Sequence, residues 1–409
     1  MSYINLEELG FKDGAGLDAF HRLRASQVTT LFDAQLQYGL GSRDWQSATT
    51  GAGSQTHLPN ESAVQLSTGG STDGDGVIRQ TRLCWRYQSG KSQLYFQTFL
   101  FGAAEPNVVR RVGYFNEDDG VFLEQNDTDL RVVNRSSVSG SSTDAAYAAQ
   151  VSWNRDKLDG TGSSGKILDI TKTQLMFLDL QWLGAGRVRV GFFIDGVPII
   201  AHEFYHGNVL TTAYMKTANL PARGEIFNVG TSGGAATMKM ICTSIMAEGG
   251  DDDFQTGHLN SASNGSSPVS VTSRRPVLSI RPAAMFGGVT NYAWYVLIDL
   301  IVRTVTNDVY WEVVYGGSLT GASWTAAAAD SCVEWDSSAT GITGGVSVLK
   351  GYSIAGLGSS GGAAIAKIAG RFPNSVSSLD GSQPSHTLVA TSMSGSANVA
   401  VATNWREIY

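Results

Sequence analysis

Residues 186–204, GRVRVGFFIDGVPIIAHEF, alternate apolar and polar side chains on either side of an Asp195-Gly196 pair. A period of two sends successive side chains to opposite faces of a strand, and Asp-Gly favours the tight turn of a two-residue hairpin. The same grammar recurs. Arg79 to Tyr87 places Leu83, Trp85 and Tyr87 on one face, QSGK turns, and SQLYFQTFLF follows, which reads as a second hairpin. RRVGYFNEDDGVFLEQ, LRVVNRS, AYAAQVSWN, TQLMFLDLQWLG, GEIFNVGTSG and ATMKMICTSIMAE continue it to residue 247. About nine or ten short strands with no 12-residue helical pattern between them predict an all-β chain with an antiparallel sandwich of jelly-roll or lectin-like kind.

Composition agrees. Only 16% of the 409 residues are charged, against about 25% in an average soluble protein, and there are 48 glycines. Few charges with many turn formers suit sheets better than amphipathic helices. The 42% of apolar residues can fill a core, so disorder is not expected. The net charge of -7 and the lack of clustered Lys and Arg argue against nucleic-acid binding. The opening MSYINLEELGFKDG lacks a basic region followed by an apolar run, and no apolar stretch reaches about 18 residues. Neither a signal peptide nor a membrane span is therefore expected, and synthesis in the cytosol is.

Four segments follow from these patterns. Residues 1–45 form an extended arm, with a short helix over Leu17 to Arg24 and an extended VTTLFDAQLQY. Residues 46–248 are the β-sandwich. Residues 249–274, acidic and then Ser/Gly/Asn-rich, read as a linker. Residues 275–409 form a second, smaller β domain from the runs VLSIRPAAMF, NYAWYVLIDLIVRTV, DVYWEVVYGG, SCVEWDSS, GVSVLKGYSI, HTLVATSM and ANVAVATNWREI.

The stretch AHEFYHGN, residues 201–208, spells the H-E-x-x-H order of zinc peptidases with His202, Glu203 and His206. That chemistry needs a helix, where the two histidines lie about 6 Å apart. On a strand they share a face at about 13 Å, too far for one zinc. The β-branched Val197, Ile199 and Ile200 favour a returning strand with Phe204 on the side of the histidines. A short helix between Pro198 and Gly207 is the competing conformation. A third ligand would have to come from His258 or Glu225, and the metzincin continuation is absent.

Other motifs carry less. GTGSSGKI, Gly160 to Ile167, has the P-loop glycines and Lys166 but Ile167 where a hydroxyl should hold Mg²⁺. GLGSSG, Gly356 to Gly361, followed by GAAIAKIAG, matches a dinucleotide fingerprint without a βαβ unit around a barely two-turn helix. Glu117-Asp118-Asp119 and Asp251-Asp252-Asp253 could collect a structural Ca²⁺, or be solvated turns. Cys84, Cys242 and Cys332, far apart and odd in number, read as small buried hydrophobes. Trp85, Trp182, Trp294 and Trp311 lie in strand patterns and read as core. No catalytic, cofactor-binding or metal-ligating residue is assigned, and no cofactor is expected.

Residues 153–208 together with YMKTANLPARGEI resemble virion structural proteins of tailed phages. The resemblance extends in patches to FHRLRASQVTTLFDAQ, RRPVLSIR, DVYWEVV and NWREI. It implies a non-enzymatic particle component in the virion: a capsid decoration or cement protein, or a head fibre. Such a protein would dock on the major capsid protein or other virion proteins through the arm and the first sandwich, as a homotrimer by analogy. The alternative is a lectin-like tail adsorption protein that binds host surface glycans. The resemblance carries no catalytic or binding residue with it.

Overall fold

Asp195 and Gly196 both adopt positive φ, 52° and 76°, and close the hairpin that their sequence predicts. Val190 pairs with His202 and Ile194 with Val197 across it. The computed structural model describes residues 27–249, 257–355, 364–367 and 374–409.

The hairpin strands are β12 (Val188–Ile194) and β13 (Val197–Phe204), at one edge of an eight-stranded antiparallel sheet. The sheet continues through β11 (Gln174–Leu180), β6 (Gln93–Leu100), β15 (Thr237–Glu248), β4 (Ala63–Ser67) and β3 (Ser54–Leu58). β1 (Val28–Gln35) shares β15 with β4: it covers Cys242 to Glu248, and β4 covers Thr237 to Met240. The extended run of the expected arm is thus a strand of the first sandwich, while Leu17 to Arg24 lie outside the described residues.

The opposing sheet has seven strands. Its order is β10 (Thr143–Ala149), β9 (Asp129–Ser136), β8 (Gly120–Asn126), β7 (Val108–Phe115), β14 (Ala222–Asn228), β5 (Gly76–Thr81) and β2 (Trp45–Thr50). Val112, Leu123, Val132, Ile226, Leu178 and Ile245 fill the space between the two sheets. The described chain is all-β, with a jelly-roll, lectin-like sandwich of antiparallel sheets first. Its helical turns are two short 3-10 pieces, Pro59–Glu61 and Gln150–Ser152.

One expected hairpin does not form. β5 and β6 lie in opposite sheets, and residues 82–92 carry the chain from one to the other. Leu83, Trp85 and Tyr87 share a face as expected, but that face is the sandwich interior. Burial of three large side chains outweighs the local turn signal, and the Trp85 N–H finds the Leu220 carbonyl at 2.8 Å instead of a hairpin partner.

β16 (His258–Ser263) and β17 (Val269–Val271) fall within the stretch read as linker, yet both pair with Ala397–Ile408. Their polar composition hides them, because an edge strand can satisfy its backbone without burying alternate side chains. Ala397–Ile408 also pairs with Trp294–Thr304, which in turn pairs with Ala364–Lys367. A six-stranded sheet packs against these strands, built around β18 (Arg275–Pro282), His386–Ser392 and Val309–Tyr315. Val277, Ile280, Val302, Trp311 and Trp405 form its core.

The two halves are joined by more than the chain. Trp294 belongs to the first core, edge-on to Trp85 at 5.9 Å. Gln46 and Gln80 of the seven-stranded sheet donate to Ser377 and Ser378 at 2.9 and 2.8 Å.

Candidate functional site

The seven-stranded sheet carries ions on the face turned away from the core. Alternate residues of four neighbouring strands place Arg131, Glu124, Arg111 and Glu225 directly opposite one another in a single row. Opposite charges on facing residues stabilise a sheet, and here each meets its neighbour. Arg131 pairs with Glu124, and Arg111 lies 2.5 Å from Glu124 and 2.7 Å from Glu225. Arg223 holds the second oxygen of Glu225 at 2.6 Å.

Aromatic rings pad the guanidinium groups. Arg111 lies over Phe122 and Phe227, Arg135 over Phe122, and Arg223 over Phe115. Glycine makes the room: a Cβ on Gly113 would come within 2.6 Å of the Phe122 backbone, and one on Gly76 within 2.6 Å of the Phe227 side chain.

A groove of about 370 Å³ runs over this face, with Arg111, Arg135, Arg223, Glu225 and Phe227 among its walls. Ser378 and Leu379 of the second unit and the exposed Glu117 also line it. Burial opposes ionising Glu225, but Arg223 and Arg111 outweigh it and hold its carboxyl at about 2. A carboxylate held there is a fixed acceptor and a poor proton donor. The groove offers hydrogen-bonding groups on rigid strands, with no general acid at Glu225.

The H-E-x-x-H residues lie on β13 and just after it, as the returning-strand reading expects. Phe204 stands between the histidines, 4.6 Å from the His202 ring and 6.4 Å from the His206 ring. The Asn154 backbone N–H donates to His202 Nδ1 at 3.3 Å. Glu203 is engaged by Arg155, Arg187 and the Tyr205 hydroxyl. Neither candidate third ligand joins them: Glu225 is in the arginine row, and His258 stacks on Tyr409 at 5.3 Å. Among the described residues no group of three or more His, Cys, Asp or Glu could hold a metal ion.

The remaining motifs resolve one by one. In GTGSSGKI the amide that a phosphate would use is taken by the chain itself, as Asp156 accepts from the Ser164 N–H at 2.7 Å and Lys166 pairs with Asp195. Ala364–Lys367 is a strand paired with Trp294–Thr304, where GAAIAKIAG was expected to turn as a helix. Gly356 to Gly361 and Asp251 to Asp253 lie outside the described residues. Asp119 is buried and accepts from Ser137 and from the Lys216 N–H, a structural role. Cys84 and Cys332 are buried as expected, whereas Cys242 is exposed, since alternate residues of β15 leave the core. Trp85 and Trp311 are core residues, and Trp182 packs on the first core with its Nε1 on the Met215 carbonyl.

The arginine row was missed by sequence reasoning, which noticed Glu225 only as a stray ligand. Its residues are visible in RRVGYF, FLEQ, LRVVNRS and ARGEIF, but a charge on the outer face of an antiparallel strand is ordinary, so nothing in the sequence sets these four apart.

No protein-family model and no curated protein matches the chain. Among solved structures, it is similar to an endo-β-1,4-glucuronan lyase from the fungus Trichoderma reesei, with TM-score 0.36 and 12% identity over 55% of this chain and 97% of that one. A family 16 glycosyl hydrolase from Mycobacterium smegmatis gives 0.34 and 10% over 53% and 100%. A legume lectin-like domain from Entamoeba histolytica gives 0.30 and 10% over 51% and 92%. At these TM-scores the likeness assigns no activity, ligand or residue role. Among the described residues no helix is long and apolar enough to cross a membrane.

Proposed function

We propose that the chain is a non-enzymatic recognition protein of a tailed-phage particle, whose first sandwich binds surface glycans. The groove over the arginine row carries this reading. Its charged groups are locked in pairs on rigid strands and its walls include an aromatic ring, the mixture of fixed polar and apolar surface that a saccharide needs. Glycosidic cleavage by paired carboxyls needs one of them protonated, and Glu225 is held far from that state. The resemblance of residues 153–208 to virion proteins supports the setting.

A second reading is a capsid decoration or cement protein that docks on the shell through residues 1–45 and the first sandwich. In this reading Tyr38, 96% exposed just after β1, is a side chain that the shell would cover.

The test is an array of bacterial surface polysaccharides probed with the wild type and with Glu117→Trp, which fills the groove from an exposed lining position. Binding that the variant loses, without new reducing ends or unsaturated products, supports the proposal. Cleavage of the bound glycan overturns its non-enzymatic part. A blank array with protein found regularly over purified heads favours the decoration reading.

A further inference from the structure

We infer that the HEFYH stretch forms one wall of a second pocket, built to take an uncharged sugar ring. The inference rests on the glycan-binding reading for its ligand class, but the pocket is separate from the groove.

This pocket, of about 540 Å³, lies where β9 and β10 meet the segment that follows β13. Phe204, Tyr205, His206 and Tyr214 make one side of it. Tyr205 is half exposed, and its hydroxyl is anchored by Glu203 and by Arg155 at 2.8 Å, so the ring is held as a fixed platform. His206 is clamped from behind by Tyr214, the rings stacked at 3.9 Å and 7° apart. An aromatic face fixed in this way suits the C–H face of a pyranose.

The hydrogen-bonding groups identify the ligand further. His206 Nδ1 lies 2.6 Å from the Gly186 carbonyl, which can only accept, so the proton sits on Nδ1. Nε2 must then accept from Asn134 Nδ2 at 3.3 Å, which fixes the orientation of the amide. The Asn134 oxygen is left over: the residue is 2% exposed, lines the pocket, and its Oδ1 has no partner among the described residues. A buried acceptor of this kind calls for a donor such as a sugar hydroxyl. Ser136, Thr143 and Thr212 add hydroxyls that both donate and accept.

Charge sets the class. Among the described residues no Asp, Glu, Lys or Arg side chain lines the pocket, and burial pushes the His206 imidazole down toward its neutral form. A ligand carboxylate would meet no free cation in the lining, since Arg155, which holds the Tyr205 hydroxyl, is paired with Glu203, and it would face the Asn134 oxygen, acceptor against acceptor. A lipid chain would leave that oxygen unsatisfied. The uncharged, hydroxyl-rich ring satisfies both constraints.

The experiment titrates the full chain with methyl glucoside, methyl galactoside, methyl mannoside, N-acetylglucosamine, glucuronate and glucuronate methyl ester, read by saturation-transfer NMR. Thr212→Trp and Ser139→Trp, both at exposed positions, plug this pocket, and Glu117→Trp plugs the groove. Thermal melting checks that each variant is folded. The expected result is millimolar binding of at least one neutral probe, weakened at least about ten-fold by both pocket plugs and unchanged by Glu117→Trp, with glucuronate at least about ten-fold weaker than its ester. Neutral binding that survives both pocket plugs overturns the inference, as does glucuronate binding as well as its ester, or no probe binding at all. Loss only in Glu117→Trp overturns this pocket and leaves the groove reading standing, whereas loss only in the pocket plugs supports this pocket and leaves the groove to be decided by the polysaccharide array.

Discussion

Arg111 and Glu225 face each other on β7 and β14, 2.7 Å apart, and Arg111 grips Glu124 on its other side. A buried carboxylate is tolerable only with such partners, so breaking the pair leaves charge stranded on the sheet. Glu225→Gln is expected to destabilise the protein by about 3–5 kcal/mol, measured by urea unfolding.

The same carboxyl sets an acid limit. Its folded pKa, about 2, lies below the ordinary 4.5, so its contribution is complete above pH 4.5 and is lost as the pH falls toward 2. Unfolding midpoints followed from pH 5 to pH 2 should fall less steeply in Glu225→Gln than in the wild type. Parallel curves would show that the pair does not govern the acid transition.

A second group acts at milder pH. His386, buried in the second core with its Nδ1 2.9 Å from the Tyr295 hydroxyl, is pushed by burial from 6.5 down to about 3. The unfolded chain takes up this proton first, so stability falls as pH drops below about 6.5, by about 1.4 kcal/mol per unit until the folded value is reached. His386→Phe should flatten the profile between pH 6.5 and 4, whatever it does to stability at pH 7.

The H-E-x-x-H residues are expected to bind no zinc. Protein purified in metal-free buffer and then incubated with one equivalent of zinc should return below about a tenth of an equivalent after gel filtration, and His202→Ala should not alter that. Phe204 between the two rings is the physical reason, since no single ion can reach both.

Trp294 is expected to matter to the sandwich it does not belong to in sequence. Trp294→Ala empties a position against Trp85 and should cost about 3–5 kcal/mol. Hydrogen exchange should report the loss in the first sandwich, around residues 82–87, as well as in the second.

Much of the fold is legible because a period of two survives in almost every strand. The Asp195-Gly196 turn, the β7–β8 hairpin and the strand at His202 follow from local pattern alone. The β5–β6 connection was misread because Leu83, Trp85 and Tyr87 alternate equally well in a ladder or while crossing a core, and only the neighbouring sheet decides between them. β16 and β17 escaped notice because edge strands need no apolar stripe. The arginine row was spelled out residue by residue, yet its meaning depends on register: Arg111 is a surface charge until β8 and β14 bring Glu124 and Glu225 to either side of it. Asn134 and Tyr205, from opposite sheets, have no link in sequence that could announce a pocket.

The Trp85–Trp294 contact also has a consequence for biogenesis. The last strand of the first sandwich ends at Glu248, so a nascent chain halted there contains every ladder of that sandwich but not the ring that closes its core. A first sandwich made without residue 294 keeps the Phe32 stack on Trp85 but lacks the ring edge-on to it, so the N-terminal half alone is expected to be less stable than the same half in the whole chain.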